Sequence, residues 1–449
     1  MTALSLKQRL AADHAAIPQK LTQWAAAQDE LTLRINEIAA RNASFYLRKG
    51  LKPESGRVDE FSSLVYPSPE AARDEFAKHN PHVYGRNGGP RLTQLADILK
   101  LFDPCIAEAR ITNWGMGAVA AALYPLKKGD HVVASKFLFG GCYVLIDDLR
   151  TQRGVKVSFI DGTKPDEWEN AVRPNTKLFW FETPGNPTGK LIDIRAVAEI
   201  AHAKGRDILV AVDNSLAFSA HAPLRDGADL VAASLTKALG LGRRGGGALL
   251  FSEAGIQRHQ RHIGDATGTR NVCFDAIAKI GATPANGAAV LPLIAMARNL
   301  PGRVTQQVET ADRLARHLTE LAAGFGFTVN HPTLDKPHRQ MTGVSVFSVD
   351  LGSEDRAFAL IKELGRHGIA QINNFGGLKT AVTHPASTTH SSLTPKLQAQ
   401  QGVTPGLLRI TAGIESAELV LKIFDAALSA LPPMAATRAR RTVNRQLAA

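Results

Sequence analysis

The sequence predicts an α/β fold, a mainly parallel, helix-covered sheet followed by a smaller C-terminal α+β unit. Two observations carry this expectation. From about residue 110 to 290, short apolar stretches alternate with helical segments, as repeated strand–helix units do. After about 295 the order changes to one long amphipathic stretch and then an alternating strand. At 449 residues the chain is also too long for a single ordinary core.

In chain order, residues 1–75 read as a helical arm. Leu21, Trp24, Leu31, Ile35 and Ile38 recur at near-helical spacing, and Pro53, Pro67 and Pro69 interrupt the stretch beyond them. Such an arm has no core of its own and is expected to pack on a partner subunit. Residues 76–293 form the large unit. Its apolar strands are 132–134, 155–160, 178–181, 208–212, 230–233 and 248–251, and the clearest helix between them is 194–203. Ligands of such a sheet sit beyond the strand ends. Residues 294–433 form the small unit, with an amphipathic helix over 304–323, a half-exposed strand over 341–349, a helix around 356–367 and a strand at 407–410. Residues 434–449 read as a basic, disordered tail.

Composition narrows the function classes. Apolar content of 44% and charged content of 21% describe a globular chain. No run of eighteen apolar residues exists, and the start lacks the apolar core of a secretory signal. Cys105, Cys142 and Cys273 lie far apart without paired-ligand spacing, which argues against a disulfide framework or a zinc site and fits a reducing cytoplasm. The net charge of +12 invites a nucleic-acid reading. A third of it, however, sits in Arg438, Arg440, Arg441 and Arg445 of the tail, and the rest is scattered without aromatic interleaving. A nucleic-acid partner is therefore not expected.

The chemistry centres on Lys237, within Ser234-Leu-Thr236-Lys237, just after an apolar strand and just before a cluster of glycines. Asp213 closes the strand before it, 24 residues earlier. A lysine can hold an aldehyde cofactor as a Schiff base, and a fixed carboxylate keeps a pyridine nitrogen protonated. Together they point to pyridoxal 5'-phosphate. Asp213 read alone is equally a helix N-cap. Ser234 and Thr236 offer hydroxyls to a phosphate. Gly115 and Met116 open an apolar helix whose first N–H groups suit the same anion, although an ordinary tight turn explains them too. Phe139, followed by two glycines, is either a ring-stacking residue or a core phenylalanine. In Glu182-Thr-Pro-Gly-Asn186-Pro-Thr-Gly, two prolines stiffen the loop around Asn186, as they would in a plain turn. Arg409 lies among Leu407, Leu408 and Ile410, where a buried guanidinium needs an anion, either a substrate carboxylate or a structural partner. His384 and His390 lack a helical metal spacing, so no metal is expected.

These residues resemble the Cys/Met-metabolism family of pyridoxal-phosphate enzymes, which includes cystathionine γ-synthase, cystathionine and methionine γ-lyases and the O-acylhomoserine sulfhydrylases. The likeness runs from about Tyr84 to Ala430. It is carried by Asn175-Thr-Lys-Leu-Phe, Pro184-x-Asn186-Pro187, Val212-Asp213-Asn214, Ser234-x-Thr236-Lys237, His384-Pro-Ala-Ser-Thr-Thr-His390 and Leu408-Arg409-Ile-x-x-Gly413-Ile-Glu415. The resemblance implies fold type I, with a seven-stranded-type sheet covered by helices on both faces. It implies that Lys237, Asp213 and Phe139 are catalytic, and that Gly115, Met116, Ser234 and Thr236 hold the phosphate. Asn186, Asn374 and Arg409 would face the substrate carboxylate. Tyr84 and Arg86 would reach the phosphate of a neighbouring subunit, giving a homodimer or homotetramer. The activity implied is γ-replacement on an O-acylated homoserine by sulfide or a thiol, with γ-elimination to a 2-oxo acid and ammonia as the alternative. The chain departs from the family in four places. The family's Tyr-Ser-Arg motif reads Tyr84-Gly85-Arg86, and the ring position often held by tyrosine is Phe139. Asn373 replaces a glutamate common in cystathionine-handling members, and Arg243-Arg244 is unusual. Phe139 and Arg244 look closest to the sulfhydrylase branch.

Overall fold

The computed structural model describes residues 4–48, 51–53, 62–77, 82–203, 206–264, 271–334, 341 and 343–431. The tail expected over 434–449 lies outside them. Seven strands form the larger sheet, in the order Glu108–Thr112, Gly247–Phe251, Leu230–Ala233, Leu209–Asp213, Thr176–Glu182, His131–Ser135 and Lys156–Ile160. Six run parallel, and Gly247–Phe251 alone runs against its neighbours. All six stretches read as strands from their apolar runs belong to this sheet; Glu108–Thr112, with two charged residues, escaped that reading. The central strands are buried at every position, because helices cover both faces. Val133, Phe179, Val210 and Val231 face one core cluster, while Val132, Leu178, Ala211 and Ala232 face the other.

The second sheet has five strands, in the order Thr328–Asn330, Val346–Asp350, Leu407–Thr411, Ala381–Thr383 and Ala370–Gln371, antiparallel except for the last pair. Its helices are Leu300–Phe325, Glu354–Arg366 and Ala417–Ser429. They share a core with Phe347, Val349, Leu408 and Ile410. The strand expected to be half-exposed is shorter than read, Val346–Asp350, and is buried except at its last residue. It is an inner strand with a neighbour on each side, so alternation there separates two covered faces rather than core from solvent.

Among the described residues of the arm, the first part forms the helices Leu6–Ala15, Ile17–Ala26 and Asp29–Arg48. Ser5 caps the first through a reciprocal box with Gln8. The buried residues of these helices find partners within this chain. Leu10 enters the core of the five-stranded sheet beside Leu314 and Phe424. Ile35 and Ile38 join Leu92 and Leu95 in a core of the seven-stranded sheet. Between them, Trp24 packs on Gly302, where an added methyl group would meet the indole at 2.7 Å. His14 Nε2 lies 3.0 Å from Glu415 Oε1, and Lys20 donates to the carbonyl of Ile414 at 3.1 Å. Among the described residues no helix is long and apolar enough to cross a membrane.

Candidate active site

Parallel strands bring their carboxyl ends to one edge, and there Glu182 and Asp213 stand in register on neighbouring strands. Beyond that edge lies a cavity of about 610 Å³. Its walls include Gly115, Met116, Phe139, Asn186, Asp213, Ser234, Thr236, Lys237, Asn374 and Arg409. Ten of the twelve residues singled out in the sequence thus converge on one space. The other two, Tyr84 and Arg86, are not among its lining residues. Tyr84 is 44% exposed, with the Arg86 guanidinium 5.3 Å from its ring centre.

Lys237 follows the Leu230–Ala233 strand on a tight turn. Its Nζ donates to Asn374 Oδ1 at 2.5 Å and sits 4.7 Å from the centre of the Phe375 ring. Asn374 is oriented for this by its own amide, which donates to the carbonyl of Gly242 at 2.7 Å. Burial, aided by the Arg409 charge, lowers the Lys237 amine to about 8. Asp213 is buried and accepts from the Ser215 N–H at 2.9 Å, with the Cys142 thiol 3.8 Å away. Burial raises its pKa, against the pull of the Ser215 hydrogen bonds.

Arg409 stands between Leu408 and Ile410, which face the helices, so strand alternation turns it to the opposite face, towards the cavity. It is 1% exposed, and burial lowers its guanidinium to about 10. Its Nη1 donates to Asn186 Oδ1 at 3.0 Å, and its Nη2 donates to Thr383 Oγ1 at 3.2 Å and to the Asn374 carbonyl at 3.4 Å. No carboxylate is among these partners, and its Nε is unpaired. The loop that carries Asn186 has cis bonds at Thr183–Pro184 and Asn186–Pro187.

The walls also hold residues that sequence reasoning passed over: Glu182, Cys142, Ser215 and Phe375. Glu182 is 3% exposed and accepts from the Phe139 N–H at 2.8 Å. Burial, and next the Asp213 charge, drive its pKa well upward. An acid closing an apolar strand, as Asp213 does, was the available signal. Phe139 meets His390 edge-on, with ring centres 6.4 Å apart. Among the described residues no three His, Cys, Asp or Glu side chains group to hold a metal.

The cavity fits pyridoxal phosphate on three grounds. The helix Gly115–Leu123 begins at its wall, and a methyl group on Gly115 would fall 2.6 Å from Ser234 Cβ, so only glycine leaves this cradle open. Asp213 offers a buried carboxyl to a ring nitrogen, and Lys237 offers an amine depressed towards neutrality.

A family model described as Cys/Met metabolism PLP-dependent enzyme matches residues 53–429. The chain is 32% identical over 403 residues to an O-succinylhomoserine sulfhydrylase of Mycobacterium tuberculosis, covering 85% of this chain and 93% of that one. It is 32% identical over 377 residues to an L-methionine gamma-lyase of Porphyromonas gingivalis, covering 81% and 90%. A cystathionine gamma synthase from Xanthomonas oryzae pv. oryzae, solved with cystathionine, superposes with a TM-score of 0.72 at 29% identity, over 83% of this chain and 92% of that one.

Proposed function

The chain belongs to the Cys/Met-metabolism PLP-dependent enzymes, of fold type I, and from that premise we propose that it performs γ-replacement on an O-acylated homoserine, with sulfide or a thiol as nucleophile. The observation that carries this reading is the cavity itself. It joins a depressed amine, Lys237, to a buried carboxyl, Asp213, and to a buried guanidinium, Arg409, that has no carboxylate among its hydrogen-bond partners. Arg409 and Asn186 hold the substrate's carboxylate, with Asn374 beside them. Asp213 pairs with the ring nitrogen, while Ser234, Thr236 and the N–H groups of Gly115 and Met116 hold the phosphate. Phe139 covers one ring face. Pyridoxal phosphate, when bound, supplies a sink for negative charge that develops at the substrate's Cα and Cβ. Lys237 Nζ takes the proton from Cα and then helps remove one from Cβ, so that the acyl group leaves Cγ as a carboxylate; sulfur enters there with loss of its proton, and protons return to Cβ and then to Cα.

The second reading, γ-elimination, is favoured by the equal identity to the methionine gamma-lyase. Against it, Phe139 has no hydroxyl with which to protonate a leaving group. A panel of O-acetylhomoserine, O-succinylhomoserine, cystathionine and methionine, each with and without sulfide, separates the two by mass spectrometry. Replacement predicts a sulfur-containing amino acid only when sulfide is present. Rapid ammonia and 2-oxo acid release without sulfide would exchange this reading for the second.

Tyr84 and Arg86 are taken to serve the phosphate of a neighbouring subunit, which makes the working unit a dimer or a pair of dimers. Mixing Lys237→Ala with Arg86→Ala chains should restore about a quarter of wild-type activity, since half the dimers become hybrids with one intact site. No recovery would place Arg86 outside a shared site.

A further inference from the structure

The helix Leu300–Phe325 carries two buried polar side chains, one turn apart on one face, that the proposed chemistry never touches. Arg303 is 0% exposed and Gln307 is 1% exposed. Arg303 Nη1 donates to the carbonyl of Ala238 at 2.7 Å. Its Nη2 donates to the carbonyls of Met296 at 3.2 Å and Leu239 at 3.5 Å, and its Nε donates to Asn299 Oδ1 at 2.7 Å. None of these partners is an anion, and burial brings the guanidinium down to about 9. A cation removed from water without a counter-charge is costly, so its site must hold it through well-aimed dipoles. Gln307 Nε2 donates to the carbonyl of Gly377 at 2.6 Å.

Met296 belongs to the preceding helix, Leu291–Ala297, and the other three carbonyls gripped belong to two loops. Ala238 and Leu239 follow Lys237, whereas Gly377 follows Asn374, the residue whose side chain takes the Lys237 amine. The loops press directly on each other. A methyl group on Gly376 would collide with the Lys237 carbonyl carbon and with the Ala238 nitrogen. One helix face therefore fixes the backbone on both sides of the Lys237–Asn374 contact.

We propose that Arg303 and Gln307 are positioning residues, a two-pronged clip that sets where the Lys237 amine stands relative to Asn374. This rests on the role proposed above for Lys237.

The test compares Arg303→Met, Gln307→Met and, as a control on the same helix, Leu314→Ala, which opens the core of the five-stranded sheet. Four quantities are measured: melting temperature, affinity of the cofactor-free protein for pyridoxal phosphate, the pH midpoint of the bound cofactor's absorbance, and the split between kcat and KM. The clip predicts that both methionine variants shift the midpoint by about half a unit or more. It also predicts that they weaken cofactor affinity and lower kcat by roughly tenfold each, with KM nearly unchanged. Leu314→Ala should lower the melting temperature alone, and Arg303→Lys, which keeps the charge but not the fork, should recover only part of the loss. The proposal is overturned if folded Arg303→Met keeps the wild-type midpoint and affinity, or if Leu314→Ala moves them equally. Should Arg303→Met not fold, Gln307→Met decides by the same criteria. Lys237→Ala separates the two levels. If it stays fully active, the reading of Lys237 fails and the clip with it; if it is inactive while the methionine variants match wild type, the clip alone falls.

Discussion

In the seven-stranded sheet the polar side chains of the cavity stand at or just past strand ends, with Glu182 and Asp213 closing neighbouring strands and Lys237 following a third. In the five-stranded sheet Arg409 stands inside its strand, flanked by Leu408 and Ile410. The cause is layering. Helices cover both faces of the parallel sheet, so its strand interiors are spent on core and only the ends are open. The five-stranded sheet has helices against Leu408 and Ile410, and the opposite face is left to look into the cavity. On the proposed reading, one sheet would offer the groups that handle bonds, and the other the group that holds the substrate still.

That division can be broken by kinetics. The largest effect is expected for Lys237→Ala, which should lower kcat on the order of 10³-fold and abolish the lysine-linked cofactor absorbance. Turnover of O-acylhomoserines at the wild-type rate would end the proposed mechanism. Arg409→Leu should act on the other parameter, raising KM on the order of 10–100-fold, the value of a hydrogen bond to a charged group, while kcat changes little. A fall confined to kcat would erase the contrast between the two sheets.

A pH series sharpens the comparison. Burial and the Arg409 charge hold the Lys237 amine at about 8, below an ordinary lysine, so the neutral form gains. Uptake of pyridoxal phosphate by the cofactor-free protein should then rise with pH around a midpoint near 8 and level off above it. From pH 7 to 9 the neutral fraction climbs from roughly a tenth to roughly nine tenths. Stopped-flow absorbance checks this, and Arg409→Leu should move the midpoint upward, because a neighbouring positive charge is gone. The smallest effect is expected for Phe139→Tyr. Cofactor affinity should stay within about twofold, with a few-fold gain in ammonia release relative to replacement, because a hydroxyl now stands beside the leaving group. An unchanged product ratio would remove Phe139 from the account of specificity.

Six of the seven strands of the larger sheet were legible because buried strands read as unbroken apolar runs, and Asp213 and Lys237 stood out because each lies at or shortly after the end of such a run. The smaller sheet was harder. Its inner strand at Val346–Asp350 alternates for two buried faces, and alternation alone does not say whether the second face meets water. Glu182 closes an apolar run as Asp213 does but looked like the first residue of a loop, and what the sequence did not carry is the register that sets the two acids side by side. Phe375 depends on a contact that no local pattern encodes, between its ring and the Lys237 amine from a distant loop. Arg303 resembles any helix-surface arginine until the carbonyls around it are seen. The arm illustrates the same limit. Helical spacing announced a face to be buried, but not that Leu10 and Ile35 would be buried against different sheets of their own chain.

That arm has a consequence for traffic. Because its first helix is fastened at Glu415 and its third is set into the opposite core, swinging the sheets apart would have to strip His14 from Glu415 or drag Trp24 off Gly302. A molecule bound for Lys237 would break those contacts if its entry required the sheets to part. The cavity wall it would reach includes Trp114, 57% exposed and lying against the backbone of Gly245.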